Sequence, residues 1–152
     1  MNKIAGGYSF FDAAQLTTDD VFLVTLPIYH SNAGVIGIGA TVISGATVVL
    51  RKKFSATNFF KDAIKYKCTA FSYVGEVCRY LLNQPPSELD KSHSIRKCIG
   101  NGVRANIHKE FSDRFGIKCI EIYGATEGNC VVNWIPFYKK IIIISINLCF
   151  NS

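Results

Sequence analysis

The sequence predicts a single α/β domain built on a mainly parallel β-sheet. Short apolar runs rich in β-branched residues alternate along the chain with segments whose apolar residues recur at helical spacing. Strands and helices that alternate in this way form βαβ units, in which successive strands run parallel. No internal repeat or linker interrupts the alternation, and 152 residues suffice for one core of ordinary size.

The first three predicted elements are a strand, a glycine-rich helix and a second strand. The continuous apolar run DDVFLVTLP (Asp19–Pro27) is typical of a buried strand that ends at a proline. The block SNAGVIGIGATVIS is small and apolar, and its length favours a buried helix. The segment ATVVL (Ala46–Leu50) then has the β-branched content of a strand.

The central part predicts a helix, a strand and a further short helix. Ser55 is a candidate N-cap for a helix with an apolar stripe of Phe59, Phe60, Ala63 and Ile64. TAFSYV follows as a strand, and EVCRYLLNQ as a helix that ends before two prolines. The polar segment PPSELDKSHS is expected to be a surface loop.

The last predicted elements are two strands on either side of a helix. IRKCIG is a short strand, and NGV supplies turn residues after it. RANIHKEFSDRFG has apolar residues four apart, with Gly116 well placed just after the helix end. KCIEIYG closes the series as a strand.

The charge pattern argues against nucleic acid as a partner. The formal net charge is +6, but the basic residues are scattered and the densest cluster is Arg51–Lys53. We interpret that cluster as a solvated strand end, because no aromatic residues interleave with it as single-strand binding requires. A mild positive excess remains compatible with an anionic ligand such as a nucleotide.

The cysteines predict neither a disulfide framework nor a zinc site. None of the six forms a CxxC pair, and their spacings match no zinc ribbon or finger. Most lie in apolar surroundings, which favours reduced, buried thiols in a cytosol-facing protein. They are Cys68, Cys78, Cys98, Cys119, Cys130 and Cys149.

The sequence predicts no membrane-spanning segment, since no stretch reaches the roughly 18 to 20 apolar residues that a spanning helix needs. The C-terminal KKIIIISINLCFNS comes nearest, but Ser145 and Asn147 interrupt it. This run is a candidate for contact with a bilayer surface, or equally for aggregation.

Three loops are expected to meet at one edge of the sheet. They are LPIYHSNAG, GNGVR and YGATEGN, and each follows a predicted parallel strand. In parallel α/β sheets, ligands bind at the loops that leave the carboxyl ends of the strands.

The GNG loop (Gly100, Asn101 and Gly102) has two interpretations. Without side chains at the glycines, backbone groups can approach a flat ligand edge closely. The alternative is a tight strand-to-helix turn in which Asn101 adopts a left-handed conformation.

The YGATEGN loop carries more chemistry. The Thr126 hydroxyl can donate to a phosphate oxygen, and the Glu127 carboxylate suits Mg²⁺. Gly124 and Gly128 permit close backbone approach, and Tyr123 can stack on a base. A solvated polar loop is the alternative.

His30 is the histidine placed best for a site, although a packed or surface role is its alternative. The sequence contains no GxSxG, GxxxxGK[ST] or HExxH motif and no true GxGxxG. These absences disfavour a self-sufficient hydrolase, a P-loop nucleotidase, a zinc peptidase and a Rossmann dehydrogenase.

Taken together, LPIYHSNAG, the segment from Gly45 to Pro86, RKCIGNGVR and IEIYGATEGN resemble the fatty acid transport protein family. These proteins are also described as very-long-chain acyl-CoA synthetases of the adenylate-forming (AMP-binding) superfamily. The resemblance runs from about Gly7 to Cys130. It implies a partial N-terminal large domain of an adenylate-forming enzyme over residues 1–130, followed by a non-family tail over 131–152.

The resemblance implies a two-step ligase. ATP and a long-chain or very-long-chain fatty acid give an acyl-adenylate, and coenzyme A then displaces AMP. Gly100, Asn101 and Gly102 would line the adenine side of the site, and Gly124 and Ala125 would also bind the nucleotide. Tyr123 would stack on adenine, and Thr126 would hold the α-phosphate. Glu127 would hold Mg²⁺, and His30 would lie near the acyl carboxylate and the phosphate. The glycine-rich helix would border the acyl tunnel, or its glycines would serve close packing.

The resemblance also implies parts that this sequence does not contain. These are a Ser/Thr/Gly-rich phosphate loop, an aspartate that binds the ribose and a C-terminal domain with a catalytic lysine. The isolated chain is therefore predicted to be inactive as a ligase. The alternatives are a fragment that binds nucleotide or fatty acid without turnover, and an interaction fragment of a full-length relative. By resemblance, the location is the cytosolic face of the endoplasmic reticulum or plasma membrane.

Overall fold

The computed structural model describes residues 12–124, 130–135 and 140–145. Within these residues the chain forms one seven-stranded sheet. The strands are β1 (Val21–Val24), β2 (Thr47–Leu50), β3 (Ala70–Val74), β4 (Lys97–Asn101), β5 (Lys118–Gly124), β6 (Cys130–Ile135) and β7 (Lys140–Ser145).

The strand order is β2-β1-β3-β4-β5-β6-β7. The first five strands pair in parallel, whereas β5 with β6 and β6 with β7 pair antiparallel. The predicted α/β class with a mainly parallel sheet is therefore confirmed. Because β1, β3, β4 and β5 are neighbours and parallel, their carboxyl ends lie along one edge.

Helical segments connect the parallel strands, as the alternation predicts. A π-helix (Asn32–Gly39) continues as α1 (Ala40–Ser44) between β1 and β2, and a 3₁₀ turn (Glu88–Asp90) precedes β4. The other helices are α2 (Phe59–Lys65), α3 (Gly75–Leu82) and α4 (Ala105–Phe115). As predicted, α4 ends at Gly116, which adopts a left-handed conformation with φ +70°.

Close packing explains two glycines of the π-helix. A Cβ atom on Gly34 would lie 2.4 Å from the Ile28 carbonyl oxygen, and one on Gly37 would lie 2.9 Å from Val24 Cγ2. The glycines therefore let the helix backbone lie directly on β1 and on the loop that follows it. This contact favours the packing interpretation of these two glycines over an acyl-tunnel role.

The sheet divides the core into two layers through the alternation of side chains along each strand. Leu23, Phe71 and Tyr73 pack with the apolar faces of α2, α3 and α4. Their strand neighbours Phe22 and Val24 pack instead with the π-helix and α1. The central strands β1, β3 and β4 are thus buried on both faces, which is why their sequences are mainly apolar.

One local prediction was wrong, and a second was right only in part. Ser55 is not the N-cap of α2, because its carbonyl accepts the Asn58 N–H in a turn and Asn58 takes the N-cap position. The segment PPSELDKSHS is not wholly a surface loop. Its 3₁₀ turn is closed by a capping box between Ser87 and the buried Asp90, and His93 stacks on Phe60 with ring centroids 4.8 Å apart.

Four cysteines lie within the described side chains, and all four are buried and free, as predicted for reduced thiols. Cys98 and Cys119 are register partners on β4 and β5, and their sulfurs are 3.4 Å apart in a thiol–thiol hydrogen bond. Burial raises the pKa of Cys68 to about 11, so this thiol stays protonated at neutral pH.

A buried carboxylate lies at the opposite end of the sheet, where the parallel strands begin. Asp20 is fully buried, and its Oδ1 accepts hydrogen bonds from Thr69 Oγ1 and Arg96 Nη2, each at 2.5 Å. Its Oδ2 accepts from the Thr17 N–H at 3.0 Å and from Lys97 Nζ at 3.2 Å. Burial raises the pKa of Asp20, but the hydrogen bonds and the charge of Lys97 outweigh it and lower the pKa overall.

A lowered pKa in the folded chain means that Asp20 stabilises the fold above its ordinary pKa, and that this contribution is lost as the pH falls below about 4. We expect Asp20→Asn to lose about 1 to 2 kcal/mol of unfolding free energy at pH 7, because Lys97 is left partly buried without its charged partner. The difference from the wild-type chain should shrink on acidification. Urea unfolding of both chains, at pH 7 and at a pH below about 4, measures this difference.

Asp113→Asn is the matched control, because it breaks the exposed Lys109–Asp113 ion pair. That pair should contribute less than about 0.5 kcal/mol. Equal losses in the two variants, or a loss for Asp20→Asn that persists unchanged at low pH, would contradict the role assigned to Asp20.

Candidate nucleotide site

The carboxyl edge of the sheet brings together two of the three predicted loops. The loop that contains His30 leaves β1, and Gly100 and Asn101 are the last residues of β4. Tyr123 and Gly124 end β5 beside them. The predicted site residues Ala125, Thr126 and Glu127 lie outside the described residues, so their roles stay predictions.

His30 lies on the exposed turn between β1 and the π-helix. Its Nδ1 accepts a hydrogen bond from the Asn32 N–H at 3.3 Å. Its carbonyl oxygen accepts from the N–H groups of Ala33 and Gly34, at 3.1 and 2.9 Å. The residue therefore starts the helix through its backbone, while the ring remains at the surface of the edge.

The GNG loop shows features of both interpretations that the sequence left open. Gly100 is buried, and a Cβ atom there would lie 2.0 Å from the Tyr73 carbonyl oxygen. Asn101 and Gly102 are exposed at the edge. The left-handed residue is Gly102, with φ +84°, and not Asn101, which stays in β4. Its carbonyl oxygen approaches α3 so closely that a Cβ on Gly75 would lie 2.0 Å away.

Glu121 on β5 fixes the GNG loop, and sequence reasoning missed it. Its Oε1 accepts the Gly102 N–H at 2.5 Å and the Val103 N–H at 3.3 Å. Two backbone donors of the loop are therefore bound within the protein and are not free for a ligand. A carboxylate in the middle of the apolar strand KCIEIYG was the available signal.

Tyr73 links Glu121 to the interior of the sheet. It is fully buried, and its hydroxyl donates to Glu121 Oε2 at 2.7 Å. Burial raises the pKa of Tyr73 far above its usual range, and the neighbouring Cys98 and Glu121 raise it further. The hydroxyl therefore keeps its proton and serves as a permanent donor to the carboxylate.

Asn32, also missed from the sequence, joins the loop after β1 to the end of β4. Its buried side-chain amide donates from Nδ2 to the Tyr73 carbonyl oxygen at 3.1 Å and to Asn101 Oδ1 at 2.8 Å. Asn32, Tyr73, Asn101 and Glu121 thus form one hydrogen-bonded network across four chain segments.

The described residues show neither a metal cluster nor a membrane-spanning helix. Within these ranges, no three His, Cys, Asp or Glu side chains come together in a way that could hold a metal ion. In the same part of the chain, no helix has the length and hydropathy to cross a bilayer.

The chain is similar to fatty acid transport proteins. It is 53% identical over 116 residues to long-chain fatty acid transport protein 6 of Mus musculus, covering 76% of this chain and 19% of that protein. It is 51% identical over 121 residues to long-chain fatty acid transport protein 1 of Homo sapiens, covering 79% and 19%. The chain therefore spans about a fifth of the length of these curated relatives.

Solved structures share the fold. ATP-bound MatB from Rhodopseudomonas palustris superposes with a TM-score of 0.70 at 24% sequence identity, covering 81% of this chain and 24% of that one. The profile of the AMP-binding enzyme family matches residues 2–144. With this match over nearly the whole sequence, the chain belongs to the AMP-binding enzyme family.

Proposed function

We propose that this chain carries the adenine and magnesium side of the active site of an ATP-dependent long-chain or very-long-chain fatty acid–CoA ligase linked to fatty acid uptake. The observation that supports it most is the meeting, at one sheet edge, of the His30 turn, the exposed Asn101–Gly102 pair and the end of β5. Membership of the AMP-binding family and the likeness to named long-chain fatty acid transport proteins support the reaction class and the substrate.

The proposed reaction has two steps on one site. The fatty acid carboxylate attacks the α-phosphorus of ATP, so that a P–O bond forms and pyrophosphate leaves. The thiol of coenzyme A then attacks the acyl carbon, and AMP leaves as the thioester forms. Mg²⁺ would offset the charge on the departing pyrophosphate when bound.

In this proposal each predicted residue keeps one role. Asn101 and the flanking glycines border the adenine, and Tyr123 stacks on it. Thr126 binds the α-phosphate, Glu127 binds Mg²⁺, and His30 lies near the acyl carboxylate. The cytosolic face of the endoplasmic reticulum or plasma membrane is the proposed location. The division of the chain at residue 130 also stays a prediction.

Calorimetric titration with ATP·Mg²⁺ tests the nucleotide and magnesium part. We expect Glu127→Ala to weaken binding about tenfold in the presence of Mg²⁺, because a charge-assisted metal contact is lost, and much less when EDTA removes the metal. Glu110→Ala, an exposed glutamate on α4, is the matched control and should bind like the wild-type chain. Absence of wild-type binding, or a loss of affinity on Glu127→Ala that is the same with and without the metal, contradicts the proposal.

The same preparation separates turnover from binding. We expect the 152-residue chain to release no AMP when given ATP, a long-chain fatty acid and coenzyme A in a coupled assay, since charge stabilisation in such reactions needs every part of the site in place. AMP release that depends on both the fatty acid and coenzyme A would contradict this expectation. Binding without release is the expected result, and a non-catalytic nucleotide-binding role predicts it as well.

One observation favours the interaction alternative. Within the described residues β2 pairs only with β1, so it forms an edge of the sheet, and Leu50 at its end is 52% exposed. An unpaired strand edge can add a strand from another chain. This role is supported if a full-length relative co-purifies with the wild-type chain but not with the Val48→Pro variant. Unchanged co-purification argues against it.

A further inference from the structure

We infer that Asn32 is a positioning residue that fixes the side chain of Asn101 as a hydrogen-bond donor toward the ligand, so that this point of the site selects an acceptor atom. The inference rests on the proposed function for the nature of the ligand. Under that function, the acceptor is a ring nitrogen of adenine. The inference is based on a relay of two hydrogen bonds, in which the Asn32 side-chain amide donates to the Tyr73 carbonyl and to the Asn101 side chain.

The orientation of the Asn32 amide follows from its partner in β3. A carbonyl oxygen can only accept a hydrogen bond, so the Asn32 atom that lies 3.1 Å from the Tyr73 carbonyl must be the nitrogen. The alternative orientation would place two oxygens against each other inside the protein. Asn32 is only 5% exposed, so water does not readily relieve such a contact.

The orientation of Asn101 follows in turn. The same Asn32 nitrogen lies 2.8 Å from the side chain of Asn101 and has a second hydrogen to donate. The Asn101 atom that it meets must therefore be Oδ1. A surface asparagine would otherwise present either its oxygen or its nitrogen to a ligand, but here the oxygen is already bound.

The remaining half of the Asn101 side chain is an amino group that can only donate. Among the described residues nothing is bonded to Asn101 Nδ2, and the residue is exposed at the carboxyl edge. The neighbouring Gly102 and Val103 N–H groups are bound to Glu121. Asn101 Nδ2 is therefore a hydrogen-bond donor of the GNG loop that is available to a ligand. It can donate to a ring nitrogen of adenine, which accepts hydrogen bonds, but not to the exocyclic amine, which donates them.

Binding of AMP and of its three deaza analogues, in which C–H replaces N1, N3 or N7, tests this assignment by calorimetry. We expect one analogue to bind the wild-type chain about tenfold more weakly than AMP, as expected for one lost hydrogen bond. Asn101→Asp keeps the acceptor for Asn32 but removes the donor. It should bind AMP at least about tenfold more weakly and no longer discriminate against that analogue.

Asn32→Ala tests the relay itself. It should weaken AMP binding about threefold and reduce the discrimination, because the Asn101 amide is then free to turn. In NMR spectra the two Nδ2 protons of Asn32 should exchange slowly in the wild-type chain, and the Asn101 side-chain signals should broaden or shift in Asn32→Ala. Asn83→Asp, an exposed residue at the far end of α3, is the matched control and should leave all of these readouts unchanged.

The outcomes separate the inference from the proposed function. If the wild-type chain binds AMP but Asn101→Asp binds it equally well, or if no deaza analogue is discriminated, the donor assignment is overturned and the proposed function stands. If the wild-type chain binds no adenine nucleotide, the proposed function fails and the ligand assignment fails with it. Rapid exchange of the Asn32 side-chain protons overturns the relay whatever the binding result.

Discussion

Gly100→Ala is expected to remove about 3 kcal/mol or more of the unfolding free energy, a large part of what a domain of this size has. The added Cβ would lie 2.0 Å from the Tyr73 carbonyl oxygen and 2.9 Å from Tyr73 Cγ. Both belong to a fully buried residue of the neighbouring strand, which cannot move aside without opening the sheet. Urea unfolding followed by circular dichroism measures the loss, or shows that the variant does not fold.

Gly116→Ala is the matched control because it makes the same chemical change without a clash. Gly116 has φ +70° and nothing within 4 Å of a Cβ placed on it. Only left-handed backbone strain opposes the substitution there, at about 1 kcal/mol. Equal losses in the two variants would show that the contact between Gly100 and Tyr73 does not limit the packing of β3 against β4.

The fold was predictable because its signals are local. The apolar run of β1, the β-branched residues of β2 and the four-residue spacing in α4 each lie within one element. The sequence also placed the end of α4 at Gly116, where the left-handed cap needs a residue without a side chain. When such strands and helices alternate along the chain, they form βαβ units and therefore a parallel sheet.

The π-helical form of the glycine-rich segment was not predictable for a physical reason. Apolar residues and glycines at these spacings fit an α-helix and a π-helix equally well. What distinguishes the segment is contact with residues outside it, since Gly34 lies on the Ile28 carbonyl and Gly37 on Val24. Ser55 failed as a cap for a local reason instead, because its carbonyl accepts the Asn58 N–H in the turn before α2.

The candidate site was predictable only in part. His30 and the GNG loop could be found, because histidine and glycine after a strand are visible in the sequence. Asn32 and Glu121 could not be assigned their partners, which are 69 residues away for Asn101 and 19 residues away for Gly102. Such pairs form only when parallel strands bring distant segments to the same edge.

Glu121→Ala is expected to lose about 3 kcal/mol, because one carboxylate serves three donors from β3 and the GNG loop. The Tyr73 hydroxyl would keep only the Ile120 carbonyl at 3.3 Å as a partner in the buried layer. Glu121→Gln is the matched variant. Its amide oxygen can still accept from Gly102 while its nitrogen donates to the Tyr73 hydroxyl, so the loss should be about 1 kcal/mol.

Two measurements assign that loss to the network rather than to general damage. In a double-mutant cycle with Tyr73→Phe, Glu121→Ala should show a coupling of about 1 to 2 kcal/mol, because the two side chains share a buried hydrogen bond. Amide exchange at Gly102 and Val103 should accelerate in Glu121→Ala, while exchange at Gly116, whose N–H is bound to Ser112 within α4, stays unchanged. If the losses of unfolding free energy are additive and exchange at Gly102 is unchanged, the GNG loop keeps its shape without Glu121. Its glycines alone would then hold it against β3 and α3.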